Sequence, residues 1–269
     1  MKAPIKERIV VLRYKRLADE VYRGVCDAFV AFLREELADE SFTEEKMNLP
    51  SVTIPGPTIG DVDPDWKQLK VSVDRPSRFW NSNRTKCVQF FKNVLTVNLI
   101  EKDEVCKGSH ELLFSFFERL LPFFAEYGKT FEIIKAGIDY QNVLEGEQVS
   151  DFVIRGGATL EVEKIFRNDI VGCAIDGAVT LAPFRRQTIY GPNSENASPF
   201  PATLVVSINV PDRDSSGWQV YVLLSAAGVF PGFDKGNVMG FLQAMHSAVY
   251  KGFGATFSDV IVARAEVRK

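Results

Sequence analysis

The chain holds two histidines, His110 and His246, and any imidazole-based mechanism open to it has to use one of them. A general base working near neutrality needs a side chain that titrates there, and histidine is the one that does so unperturbed. His110 falls in the first turn of an expected helix, where the helix dipole disfavours an imidazolium. His246 lies between Leu242 and Val249 on the edge of an apolar stripe. The plainer reading for each is a part-buried helix histidine with one hydrogen bond. No serine or cysteine stands out as a nucleophile beside them. Among the carboxylates, Asp139 is the most pointed, because it lies in Gly137-Ile138-Asp139-Tyr140-Gln141-Asn142, inside an expected strand. A mid-strand aspartate there either faces solvent or has a defined partner such as an arginine. Asn142 from the same segment and His246 join Asp139 as candidate binding residues. Asp176, followed by a glycine, reads as a turn.

A second constellation has the residue types that hold single-stranded nucleic acid. Arg75, Arg78, Arg84, Lys86 and Lys92 are interleaved with Phe79, Trp80, Phe90 and Phe91. Cations that track phosphates, with aromatic platforms for bases, are the usual recipe on a sheet. Arg78, Trp80 and Lys86 are its candidate binding residues. Strand alternation puts Lys86, Val88, Phe90 and Lys92 on one face, which suits a mixed solvated face equally well. No RNP-type segment is present.

Motifs with a required spacing are missing. There is no phosphate-binding G-x-x-x-x-G-K-[ST], no G-x-G-x-x-G, no G-x-S-x-G and no H-E-x-x-H; Gly156-Gly157 reads as a turn. Cys26, Cys87, Cys106 and Cys173 have neither paired spacing nor a histidine at zinc-ligand distance. Four reduced, mostly buried thiols are expected, with no metal site, no cofactor and no catalytic residue assigned.

The elements that must position these residues follow from periodicity. Residues 5–14 read as a strand. Leu17, Val21, Val25, Ala28, Phe29 and Phe32 form one stripe of a helix over 17–37. Prolines and glycines make 49–64 a loop with at most a short strand at 51–54. Strands are predicted at 69–73, 78–82, 85–91 and 94–100, with a turn at 81–83 and a tight hairpin at Lys92-Asn93. Ser109 opens a helix to about 126, kinked or tightened at Pro122 and ended at Gly128. A strand at 131–143 and a helical turn at 149–154 come next. Strands at 159–166, 171–181, 203–209 and 219–226 then lead to a helix over 238–257, capped by Asp234 or Asn237.

Strands in blocks point to an α+β fold with mainly antiparallel sheets. Each of two similar halves, 1–145 and 146–269, is a meander packed against long amphipathic helices, and the two are expected to form one compact unit. The 269 residues are 46% hydrophobic and 25% charged, enough for a core without staples. A net charge of −3 supplies no global field for a polyanion. The apolar runs at 202–206 and 220–230 are too short or interrupted to span a membrane. The N-terminal residues show no secretory signal, so a soluble cytoplasmic protein is expected.

Arg78-Phe79-Trp80, Val88-Gln89-Phe90 and Leu95-Thr96-Val97-Asn98 precede a helix ending at Tyr127-Gly128. The segment 137–142 and then Leu242, Met245-His246 and Phe253 follow. This order resembles a sporadically distributed family of uncharacterised prokaryotic proteins of about this length. The likeness spans nearly the whole chain on diffuse motifs. Members of that family typically carry arginine where this chain has Asp139, and they bring no catalytic residues to transfer. The expected function is non-enzymatic binding or assembly, with a homo-oligomer or another protein as partner and no membrane. The alternatives are a nucleic-acid-associated component of a defence or toxin–antitoxin type system, or a small-molecule or hydrolase pocket governed by Asp139 or His246.

Overall fold

Val10 sits at the centre of the fold, paired with Val97 on one side and Ile138 on the other. In the computed structural model the described residues are 5–46, 52–55, 68–71, 77–100, 110–145, 149, 152–153, 160–167, 184–191, 199–210 and 217–266. Strand β1 (Ile5–Tyr14) leads to helix α1 (Asp19–Glu36). The short strands β2 (Thr43–Lys46), β3 (Val52–Pro55) and β4 (Gln68–Val71) follow, then the meander β5 (Ser77–Trp80), β6 (Lys86–Phe90) and β7 (Val94–Ile100). Helix α2 (His110–Glu126), strand β8 (Ile133–Glu145) and a single turn, α3 (Val162–Ile165), come next. A second meander, β9 (Phe184–Tyr190), β10 (Thr203–Val210) and β11 (Gln219–Gly228), precedes α4 (Lys235–Thr256) and α5 (Asp259–Glu266).

Among the described residues nine strands form one sheet in the order β2-β5-β6-β7-β1-β8-β11-β10-β9, and β3 pairs with β4. All the pairings are antiparallel. The α+β class with antiparallel sheet is as expected from the blocks of strands. A separate sheet for each half is not what forms. The long strands β1 and β8 pair directly along most of their length, because each would otherwise leave a row of backbone donors and acceptors unpaired in the middle of the molecule.

Period-two alternation divides the sheet into two faces. Val10, Leu12, Val88, Phe90, Val97, Ile138, Val222 and Leu224 share the face that meets the helices, and all are buried. Helix α1 buries Tyr22, Val25, Cys26, Phe29 and Leu33. Helix α2 runs through Pro122 and buries Leu113, Phe116, Phe117, Leu120 and Phe124. Helix α4 starts three residues earlier than its apolar stripe suggests, because Asp234 caps it by accepting the Asn237 N–H at 3.0 Å. The Lys92-Asn93 hairpin forms, closed by the Phe91 N–H on the Val94 carbonyl at 2.8 Å.

The described residues 160–166 do not form the strand predicted at 159–166. Val162 and Ile165 are both buried at a spacing of three, which a helical turn satisfies, and only isolated bridges flank that turn. Strands β2 and β9 have no counterpart in the sequence prediction. The predicted strand at 171–181, half of the turn at 149–154, Gly156-Gly157, Arg75, Cys106, Ser109, Cys173 and Asp176 lie outside the described residues. Among the described residues no helix is long and apolar enough to cross a membrane.

The contact between β8 and β11 depends on Gly137. A Cβ there would run into the Ala226 carbonyl oxygen and lie 2.8 Å from the Ala227 Cβ. Gly137→Ala is therefore expected to cost about 1–3 kcal/mol through forced separation of the two strands. Urea unfolding of the variant checks this, and an unchanged midpoint would mean the strands are not packed this closely.

Candidate functional site

Helices α2 and α4 meet above β1 and β8, and a polar cluster is buried beneath them. Alternation along β8 turns Tyr140 toward the helices and Asp139 to the opposite face. Arg8 of β1 is in register with Tyr140 and only 6% exposed. Its guanidinium carbon lies 5.5 Å from the centroid of the Tyr140 ring. The Tyr140 hydroxyl is 2.7 Å from His246 Nδ1 on α4. The two histidines stack on one another, with centroids 3.8 Å apart and planes 14° from parallel. Phe114 presents an edge to both rings, and Glu111 lies 3.6 Å from His110 Nε2.

Burial sets the protonation states here. It pushes the Tyr140 phenol up to about 12, although the neighbouring Arg8 pulls the other way. It also pushes His246 down to about 4, helped by His110 and Arg8 and opposed by Glu111. Both groups are therefore neutral near pH 7. Arg8 offers only donors, so the Tyr140 oxygen accepts from it, and one proton lies between that oxygen and His246 Nδ1. An imidazole so reluctant to take a proton is a poor general base near neutrality. Its stronger role is to tie α4 to the centre of the sheet.

The candidate residues read from the sequence separate into several places. Asn142 shares the helix face with Tyr140 and is 1% exposed. Its amide donates to the carbonyls of Tyr140 and Val222, both at 3.2 Å, while its Oδ1 is buried with no partner. Asp139, on the other face, accepts from the Ser225 hydroxyl. Burial raises its pKa, with Arg13 acting as a cation that lowers it. The expected arginine is thus an electrostatic neighbour, and the hydrogen-bond partner is a serine. Asp139 and His246 stand on opposite faces of the sheet and cannot serve one pocket.

Arg78 and Trp80 share the face of Asp139. Arg78 Nε donates to Gln89 Oε1 at 2.8 Å, and Arg84 stacks 5.6 Å above the Trp80 ring. Lys86 is on the helix face. It pairs with Glu40 at 2.6 Å and lies 5.2 Å from the Phe116 ring centroid. Phe79 and Phe90 are buried in the core, so they offer no platform to a base. The structure does not bring Arg78, Trp80 and Lys86 onto one surface.

Arg8 and Tyr140 are not among the candidates read from the sequence, and His110, read there as a part-buried helix histidine, stacks on His246. One signal was available for Arg8. It has the same parity as Val10 and Leu12, which marks it as an arginine on a core-facing row. No protein-family model, curated protein or solved structure matches this chain. Its site must be read from its own geometry. Among the described residues, no group of His, Cys, Asp and Glu could hold a metal ion.

The two ends of the sheet differ. Strand β2 is four residues long and charged at three of them, Glu44, Glu45 and Lys46. Strand β9 is seven residues long, pairs with β10 on one side and, among the described residues, ends the sheet on the other. Ile189 is 65% exposed and Tyr190 is 38% exposed. Charged, short edge strands resist edge-to-edge pairing, and longer, more apolar ones invite it.

Proposed function

We propose that this protein works by binding and assembly, and that its first partner is a second copy of itself, joined antiparallel along β9. The unequal sheet edges carry this reading. A two-fold pairing centred on Gln187 sets Arg186 opposite Thr188, Arg185 opposite Ile189 and Phe184 opposite Tyr190, so no like charges meet. The same operation on β2 would set Glu44 against Glu45, a repulsive pair. Self-pairing by a two-fold axis is also the commonest form of soluble assembly.

The weakness of His246 as a base supports a non-enzymatic role. The free, buried Cys26 and Cys87 fit a reducing, cytoplasmic and prokaryotic setting, the one that the family resemblance also implies. Two similar halves belong to the same proposal. The order β5-β6-β7-β1 is mirrored by β9-β10-β11-β8, and each meander leads into a helix. Buried Leu113, Phe116, Phe117, Leu120 and Phe124 on α2 have the spacing of Val238, Phe241, Leu242, Met245 and Val249 on α4. An assembled pair of chains would then extend by symmetry what the chain already does internally.

Light-scattering mass, with absorbance at about 260 and 280 nm, tests the reading. Wild-type protein should run at twice the chain mass, and Ile189→Lys, which opposes a new cation to the partner's Arg185, should run as a monomer. A monomeric wild type overturns the proposal. A high ratio that collapses in strong salt would put the nucleic-acid alternative ahead of it.

A further inference from the structure

We propose that the groove between α1 and α2 docks an amphipathic segment of a partner protein that carries lysine or arginine beside its apolar residues. The groove has a volume of about 430 Å³. Ala28, Ala31 and Phe32 of α1 face Pro122 and Phe123 of α2, and Tyr127 just after that helix, across it. The small side chains at 28 and 31 leave the space open. Phe32 and Phe123 meet at 5.5 Å and Phe123 stacks on Tyr127 at 4.7 Å; Phe123 is buried, so the aromatic surface open to an occupant is that of half-buried Phe32 and Tyr127. Such ring faces take an aliphatic side chain and also attract a cation.

The charge around the groove selects the occupant. Glu35, Glu36 and Glu126 line its margin, and no lysine or arginine does. None of these carboxylates forms an ion pair among the described residues. Like charges gathered within a screening length repel one another, and a cationic partner relieves that repulsion while an anionic one adds to it. An apolar floor inside an acidic margin is therefore complementary to a basic amphipathic segment and hostile to nucleic acid. The groove is separate from the β9 edge. Helix α1 packs on β5 and β6 through Phe79 and Phe90, near the opposite end of the sheet, so a paired molecule keeps one groove on each copy.

The probe is a fluorescein-labelled helical peptide of leucine and lysine, with a glutamate-for-lysine twin, read by fluorescence polarisation. The lysine peptide should bind wild-type protein and the glutamate peptide should not. Ala31→Trp, which fills the groove from an exposed helix position, and the double variant Glu35→Lys/Glu126→Lys should each weaken binding by about tenfold or more. Glu20→Lys, on the exposed side of α1, should leave it nearly unchanged. Equal weakening by Glu20→Lys, undiminished binding by Ala31→Trp, or no binding by wild type would each overturn the proposal. The light-scattering mass of these variants should equal that of wild type, which separates this result from the fate of the β9 pairing.

Discussion

Replacing Phe29 by alanine should be among the most damaging single substitutions in the protein, costing about 3–5 kcal/mol of stability. Phe29 is completely buried on α1. Its ring lies 5.1 Å from Phe79, 4.9 Å from Phe90 and 4.9 Å from Phe123, each edge-on, and 6.1 Å from Phe32. These rings come from α1, β5, β6 and α2, so one side chain joins the first helix, the meander and the second helix. Truncation removes the transfer free energy of the ring and leaves a cavity whose aromatic walls cannot close. Urea unfolding followed by tryptophan fluorescence reads the loss. Val21→Ala, on the exposed side of the same helix, should change stability by no more than about 0.5 kcal/mol. A Phe29→Ala loss no larger than that of Val21→Ala would mean that α1 is not seated over β5 and β6 as described.

Acidification should expose the cost of keeping His246 neutral. In the unfolded chain its imidazole titrates at its ordinary value of 6.5, and in the fold burial holds it down to about 4. Between those values the unfolded state takes up a proton that the native state refuses. Stability therefore falls as pH drops from about 6.5 toward 4, by about 1–2 kcal/mol from this group once solvent screening at its half-buried ring is allowed for. Half-buried Glu7 and Asp139, whose pKa values are raised, act with the opposite sign, since the native state gains protons there. The wild-type curve is a sum of these effects. The difference between wild type and His246→Gln isolates the imidazole. Over about pH 7 to 4.5, the variant's urea midpoint should fall less steeply than the wild type's. Parallel curves would show that His246 is protonated as readily in the fold as outside it.

How much of this was legible in the sequence depended on whether the signal was local. The amphipathic α1, the hairpin at Lys92-Asn93 and the phenylalanine ridge of α2 could be read because spacing, turn chemistry and hydrophobicity agree there. Strand β9 was missed because Arg185, Arg186, Gln187 and Thr188 carry little apolar alternation; it is held by pairing with β10, which is a tertiary fact. The turn at 162–165 was misread because Val162 and Ile165 fit more than one period over so short a run.

For the candidate site, His246 and Asn142 could be named, but the partners that give them meaning could not. The stack of His110 on His246 and the bond from Tyr140 join residues more than a hundred positions apart. No spacing rule reaches that far. Arg78, Trp80 and Lys86 looked like one surface because sequence proximity hides which face each takes. The strand register assigns them to two.

Self-pairing along β9 can be trapped by a cysteine placed at the expected two-fold centre. Residue 187 of one chain should meet residue 187 of the other. Gln187→Cys should therefore form a covalent dimer under mild oxidation, seen on a non-reducing gel and reversed by reductant. Ile134→Cys, at an exposed position on β8, and the wild type with its native cysteines should stay monomeric on the same gel. Gln187→Cys protein that cross-links no more than these controls would contradict the β9 pairing.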